Sequence, residues 1–497
     1  MVGAIQSGVG MPAHKKQRPA LRKLGQIPLR VNTMPLFISP QRHHLAVLAL
    51  CLFNAGGCAS LPDTQAILAR HTHQQAMFES ALGPVSAKRQ ASVLAGLKRG
   101  TGDIDILDKQ IALEQAIVGS PLVLGNKTTL LQDGPATYAA MFAAMAQAQD
   151  HINLESYIIE DDAVGHQFVE LLLAQQRRGV QVNLIYDSVG GLNTPKLFFE
   201  PLLQAGAAVL EFNPINPLEA RGEWLLNNRD HRKLLVVDGR TAFIGGINIS
   251  SVYSSGSILR RPKKTTGNAA WRDTDLQLQG PVVAEFQKLF MATWHKQHGP
   301  ALAAKNYFPA LGVAGQDIVR AIGSTPDDPY SLIYLTLMSA IGNAERQVFL
   351  TNAYFVPDPQ LLQALTDAAA RGVDVRLILP SYSDSGLVFH AGRAHYSRLL
   401  DGGVHIFERE GALLHSKTAV IDGIWSTVGS TNLDWRSFMD NDEVNAVILG
   451  RDFAAQMLAV FARDQAASQA IEPNTWQQRP LQFKLKEWLA QLWERWL

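Results

Sequence analysis

HRKLLVVDGR, residues 231–240, decides how the rest of the chain is read, because HSKTAVIDGI at 415–424 repeats its frame. Both stretches are H-x-K-x-x-x-x-D-G. His231 is followed by Lys233, Asp238, Gly245 and Asn248 at the offsets at which His415 is followed by Lys417, Asp422, Gly429 and Asn432. In the first copy the apolar run Leu234–Val237 predicts a buried strand, and Asp238-Gly239 predicts a tight turn. Strand alternation puts His231 and Lys233 on one face, about 7 Å apart. The next strand, in TAFIGGINIS, returns Asn248 to the side of the histidine. The second copy predicts the same cluster of His415, Lys417 and Asn432. Asp238 and Asp422 complete the repeated motif and so enter the candidate catalytic set, but their place in the turn, at odd register from the histidine, gives them a structural reading.

Two parallel halves extend outward from the motifs. In the first, TYAAMFAAMAQAQ (137–149) leads into HINLESYII (151–159), a helical pattern and the strand-like RRGVQVNLIYDS (177–188). In the second, YSLIYLTLMSAIGNA (330–344) leads into RQVFLTNAYFV (346–356), a helical stretch and ARGVDVRLILPS (370–381). Each half then passes through a short helix and a strand, at 207–212 and 404–407, before its motif. Helical periods alternating with β-branched runs predict an α/β fold: two tandem α-β-α sandwich halves with pseudo-twofold symmetry and one active site between them. The expected organisation is a targeting segment at 1–58, a helical extension at 59–117, halves at 118–300 and 301–470, and an amphipathic Trp-rich helix at 471–497.

Charge narrows the partners. The formal net charge is +1, but residues 1–44 hold seven Lys and Arg and no acid, so the remaining 38 basic residues face 44 acidic ones, close to −6. A body of that sign lacks the broad positive field that nucleic acid needs, so no nucleic-acid partner is expected. The basic start precedes an apolar run from Leu45 to Phe53, too short to span a bilayer, and then Asn54-Ala55-Gly56-Gly57-Cys58. This arrangement predicts export, with Met34 as an alternative start. The cluster resembles a bacterial lipobox, which implies lipidation of Cys58 and a membrane-associated place in a bacterial cell envelope. Cys51 and Cys58 are the only cysteines, so disulfides, a catalytic thiol and a thiolate metal site are excluded from the body.

Two His, two Lys and two Asn, with no metal-ligand spacing, suit phosphoryl chemistry. Lys and Asn donors match the non-bridging oxygens, where charge concentrates in the transition state. One neutral imidazole can attack phosphorus while the other, protonated, donates to the leaving alcohol and later deprotonates the incoming one. Carboxylates that orient the imidazoles are expected in WRDTDLQLQG (271–280) and NDEVNAVILG (441–450), whose alignment on the final Gly pairs Asp273 with Glu443.

These residues, together with TNAYFVPD, ARGVDVRLILP and LLHSKTAVIDGIWSTVGSTNLDWRS, resemble the phospholipase D superfamily, and most of all its bacterial cardiolipin synthase branch, over roughly residues 120–465. The resemblance implies phosphodiester transfer through a phosphohistidine, with no cofactor and no metal. It also implies His231 as nucleophile and His415 as acid/base. The expected partners are phospholipid substrates, phosphatidylglycerol first among them, and a membrane surface, and a monomer could hold a complete site. The chain departs from the branch in having only the short exported segment where many members open with two transmembrane helices, and in Asp275 where WRDT usually continues with His. The alternatives are a phospholipase D that releases phosphatidic acid, a nuclease using the same site, and a lipoprotein that only binds anionic lipids. At the carboxyl end, Leu485, Trp488, Leu489, Leu492, Trp493 and Trp496 fall on one helical stripe, which suits either a membrane interface or packing on the body.

Overall fold

The computed structural model describes residues 63–70, 77–98, 106–221, 223–254 and 270–497. Met34, Cys51, Cys58 and the targeting segment lie outside the described residues.

The first half contributes seven strands: β1 (Leu122–Gln132), β2 (His151–Ser156), β3 (Gln181–Asp187), β4 (Ala208–Phe212), β5 (Lys233–Val237), β6 (Thr241–Gly245) and β7 (Thr274–Gln279). Hydrogen bonding orders them β4-β3-β2-β5-β6-β7-β1, parallel among β4, β3 and β2 and antiparallel from there on. The second half supplies β8 (Asp317–Ser324), β9 (Gln347–Asn352), β10 (Asp374–Pro380), β11 (His405–Arg409), β12 (Lys417–Ile421), β13 (Trp425–Gly429) and β14 (Asn441–Leu449). Their order, β11-β10-β9-β12-β13-β14-β8, repeats the first sheet strand for strand, with the same parallel and antiparallel steps. The two sheets meet edge to edge where β1 pairs antiparallel with β8.

Helices fill equivalent places. α1 (Asp133–Ala146) and α2 (Ala163–Arg177) flank β2 in sequence; α3 (Val283–Lys296) follows β7. In the second half α4 (Leu332–Asn343), α5 (Pro359–Ala370) and α8 (Arg451–Ala466) take the matching positions, with α6 (Gly386–Ala394) and the short α7 (Trp435–Met439) between them. Alternation along each strand sorts its side chains between two cores. In β5, Leu235 and Val237 join the core beneath α1 and α2, whereas Leu234 and Val236 face a central core. Ala419 and Ile421 of β12 likewise face the α4 and α5 side, and Val420 the centre. The central core is shared, since it also takes Phe286 and Phe290 of α3 and Phe453 and Met457 of α8. Burial of both faces explains why these strands read as continuous apolar runs.

The extension before β1 is not wholly helical. Helices at Ala87–Lys98 and Ile106–Val118 follow a small hairpin, Phe78–Ser80 with Gly83–Pro84, whose Phe78 pairs with Leu122 of β1. Gly83, at φ 89°, takes a left-handed turn conformation that a helix reading misses. The extension packs on the second half: Trp425 Nε1 donates to Glu114 Oε1 at 2.7 Å. Among the described residues no helix is long and apolar enough to cross a membrane.

Candidate active site

His231 lies two residues ahead of β5, and the backbone before it leaves its own half. Arg229–Asp230 pairs in parallel with Asn441–Asp442 at the head of β14, and the His231 N–H donates to Asp442 O at 2.9 Å. That register brings His231 Nδ1 to 3.0 and 3.1 Å from the two carboxylate oxygens of Glu443. The opposite half repeats the exchange. Arg272 bridges to Leu414, the His415 N–H donates to Arg272 O at 2.7 Å, and His415 Nδ1 sits 2.7 Å from Asp273 Oδ2. Each imidazole is therefore held by a carboxylate of the other half, a crossing that alignment of the two motifs does not reveal. A carboxylate on Nδ1 fixes that nitrogen as the donor and leaves Nε2 for chemistry.

The repeated glycines make room for these carboxylate strands. A Cβ on Gly245 would lie 1.9 Å from Asp275 Oδ1, and one on Gly429 would lie 2.1 Å from Asn445 Oδ1. At the next position a Cβ on Gly246 would stand 2.4 Å from Asp273 Oδ1, whereas its counterpart Ser430 uses its hydroxyl to donate to Glu443. Asp275, the departure noted at WRDTD, accepts the Ile247 N–H at 3.2 Å beneath this turn. Burial, with the Asp273 charge beside it, pushes its carboxyl well above the usual carboxylate range.

Both histidines line one cavity of about 440 Å³, together with Asn248, Asn432, Tyr157, Tyr253, Tyr354, Trp271, Asp434 and Arg436. Asn248 accepts the Ile158 N–H at 3.1 Å and donates to Tyr253 Oη at 3.1 Å. Asn432 keeps its side-chain carbonyl without a hydrogen bond among the described residues. Lys233 and Lys417 stand just behind the histidines, each donating from Nζ to the backbone carbonyl of its own motif histidine, at 2.6 Å for Lys233. Asp238 and Asp422 hydrogen-bond to backbone at the strand heads rather than to the histidines. Asp238 accepts backbone N–H groups of Gln149, Asp150 and His151, and Asp422 those of Glu345, Arg346 and Gln347. Each fastens its turn to the start of the neighbouring strand. Cys58 lies outside the described residues.

Burial dominates the electrostatics. It drives His231 down to about 4, against the opposing pull of Glu443. His415 is lowered by burial and by Lys417, with Asp273 opposing. Burial also pulls Lys233 down to about 7 and Lys417 to about 8. For Glu443 burial acts upward, but His231, Lys233 and Ser430 together outweigh it and hold the carboxyl at about 2. Asp273 is lowered too, with His415 and Lys417 outweighing its burial. The consistent picture is two ionised carboxylates accepting from two neutral imidazoles.

Several cavity residues escaped the sequence reading. Tyr157 and Tyr354 lie just beyond β2 and β9, one register position apart, with ring centroids 5.1 Å from His231 and 6.0 Å from His415. Aligning the halves residue by residue sets Tyr354 against Ile158 rather than Tyr157, so the only signal for either is a tyrosine just past the matching strand end. Tyr253, whose Oη is 3.2 Å from His415 Nδ1, and Asn441, which donates to Glu443 Oε1 at 3.3 Å, carry no such signal.

Comparison with known proteins gives a consistent answer. The sequence model of the family described as cardiolipin synthase, PLD-like domain, matches residues 141–255 and 337–465, one segment in each half. The chain is 34% identical over 374 residues to the cardiolipin synthase of Geobacillus kaustophilus (strain HTA426), an alignment spanning 75% of this chain and 72% of that protein. It is 32% identical over 371 residues to the major cardiolipin synthase of Bacillus subtilis (strain 168), spanning 74% of each. Among solved structures, phosphatidylserine synthase of Haemophilus influenzae Rd KW20 superposes with a TM-score of 0.55 at 13% identity, covering 77% of this chain and 99% of that one, a likeness of fold.

Proposed function

The chain belongs to the phospholipase D-like cardiolipin synthase family and is a phosphatidyltransferase of that type; from that premise we propose that it joins two phospholipids through a phosphohistidine. His231 Nε2 attacks the phosphorus of phosphatidylglycerol. The P–O bond to the headgroup breaks, His415 gives its proton to the departing glycerol, and the phosphatidyl group rests on His231. His415 then takes the proton from the hydroxyl of a second phosphatidylglycerol, whose oxygen attacks phosphorus and frees His231, giving cardiolipin. Lys233, Lys417, Asn248 and Asn432 hold the non-bridging oxygens as charge builds on them.

One observation carries this reading: two imidazoles share a cavity, each with Nδ1 on a buried carboxylate of the opposite half. Both are lowered when the cavity is empty, yet His415 must carry a proton for the first step. The phosphodiester supplies the missing negative charge, which together with Asp273 favours an imidazolium at His415. Both half-sites come from one chain, so the reading calls for no second subunit, and its lipid substrates call for a membrane surface.

The test is product analysis after incubation with phosphatidylglycerol vesicles in chelator. Cardiolipin with an equal amount of free glycerol, lost by about 10²-fold or more in His231→Ala and in His415→Ala, is the expected outcome. Phosphatidic acid as the sole product would make water the acceptor and overturn the synthase reading.

A further inference from the structure

The carboxyl-terminal helix α9 (Leu481–Gln491), with the turn Glu494–Trp496 that follows, is docked inside out. The side chains it buries are Glu487, 2% exposed, and Ala490, 3% exposed. Glu487 is clamped by Arg479, at 2.7 Å, and approached by Arg393 at 3.7 Å, and Ala490 sits against Val356 and Ala391. Farther on, Glu494 reaches His395 at 3.1 Å. The apolar stripe faces away: Leu481 is 81% exposed, Leu492 63%, Leu485 and Trp488 57% each, with Leu489, Trp493 and Trp496 near half. A helix that served only to cover the body would be turned the other way, because burying an ion pair costs desolvation while exposing this stripe forfeits apolar burial.

The face has a definite place. Trp496 and Leu497 line the cavity that holds His231 and His415, and so does Val388 of α6, the helix against which α9 packs. The exposed stripe therefore runs on from the cavity wall to the outer surface. Trp at the end of an amphipathic helix is suited to the boundary between headgroups and acyl chains, and exposed Lys486 and Arg495 flank it with positive charge.

We propose that α9 and its terminal turn form the surface by which this protein seats on a phospholipid bilayer, with the Leu and Trp stripe in the headgroup boundary and the cavity mouth against the lipid. The proposal rests on the transferase reading for its choice of lipid as occupant. The buried Glu487 pairs fix the helix to the body, so that seating the stripe orients the cavity rather than merely tethering the chain. Charge complementarity favours an anionic bilayer.

The experiment uses the full chain with vesicles of phosphatidylethanolamine and phosphatidylglycerol, part of the latter brominated in its acyl chains to quench nearby Trp emission. Residues 1–62 contain no Trp, so the amino-terminal segment contributes nothing to the signal. Wild type is expected to be quenched, and Trp488→Phe/Trp493→Phe to lose most of that quenching while still binding the vesicles. Leu485→Glu/Trp488→Glu is expected to lower turnover of vesicle phosphatidylglycerol by about tenfold or more, with turnover of monomeric short-chain phosphatidylglycerol unchanged. Unaltered quenching in the Phe variant, or equal losses on both lipids in the Glu variant, would overturn the proposal. So would a dimer that Leu485→Glu/Trp488→Glu dissociates with quenching intact, since the stripe would then belong to a second copy. Quenching confined to Trp488 and Trp493 in a protein that turns over neither lipid would support the docking surface and sink the transferase reading instead.

Discussion

A histidine that must attack phosphorus needs a free lone pair, and a histidine that must protonate an alcohol needs a charge; both here begin with a carboxylate on Nδ1. Removing that acceptor while keeping shape is the sharpest probe. Glu443→Gln, which can no longer accept Nδ1–H as an anion, is expected to cost at least about 10²-fold in kcat with the fold intact. The titrations give a direction as well. Protonation of His231 near 4 removes the nucleophile on the acid side, and loss of charge from Lys233 near 7 and Lys417 near 8 removes phosphate-binding donors on the basic side. kcat/KM against pH is accordingly expected to rise through about 4, to decline as His415, lowered in the free protein, gives up the proton its step needs, and to fall further from about 7 upward; a profile still rising at pH 9 contradicts these assignments. At this scale the sequence was legible where chemistry sits at fixed offsets from the histidine, as with Lys233 and Asn248. Glu443 was legible as an orienting carboxylate, but not the histidine it serves: it is 212 residues from His231 and reaches it only because Arg229–Asp230 pairs with β14.

Elements show why the motif is longer than its chemistry. The turn between β5 and β6 holds Asp238 at φ 53°, and the matching turn holds Asp422 at φ 51°, left-handed positions that aspartate tolerates better than most residues. Their carboxylates take up backbone donors at the heads of β2 and β9. Asp238→Ala is expected to destabilise the fold by about 2–3 kcal/mol, through amides left without an acceptor and through the left-handed φ. Asp238→Asn, which keeps an acceptor and suits that φ, should cost much less. Thermal unfolding measures the first effect, and turnover by the folded Asn variant decides the role: near wild-type turnover fits a fastening, whereas a loss as deep as that of His231→Ala would restore Asp238 to the chemistry. The apolar runs and the Asp-Gly signals made these strands and turns readable in advance. The helix α9 was readable as a stripe but not as a surface, because periodicity says which residues share a face and not which face meets the body. That was decided by Arg393 of α6, remote in the chain, together with Arg479 just ahead of the helix.

The whole molecule is a duplication in which neither half is complete. The order of seven strands repeats, with Ser468–Ala470 added antiparallel at the edge of the second sheet, yet the halves share a central core and exchange both the strand-edge pairing and the carboxylates at the site. The repeat was visible in two motifs and in the rhythm of helix and strand around them. The edge pairing of β1 with β8 and the crossing of the carboxylates were not, since both depend on how two similar surfaces meet. The central claim is that one histidine of this joint site carries the phosphatidyl group and the other moves the proton. A donor whose leaving group needs no acid, phosphatidyl-p-nitrophenol, separates the two roles. Mixed with His415→Ala and analysed by peptide mass spectrometry, it should leave the phosphatidyl group trapped on His231 after a single burst of nitrophenol, and His231→Ala should give neither burst nor adduct. An adduct on His415 in the His231 variant, or turnover by His415→Ala with no adduct anywhere, would contradict the account.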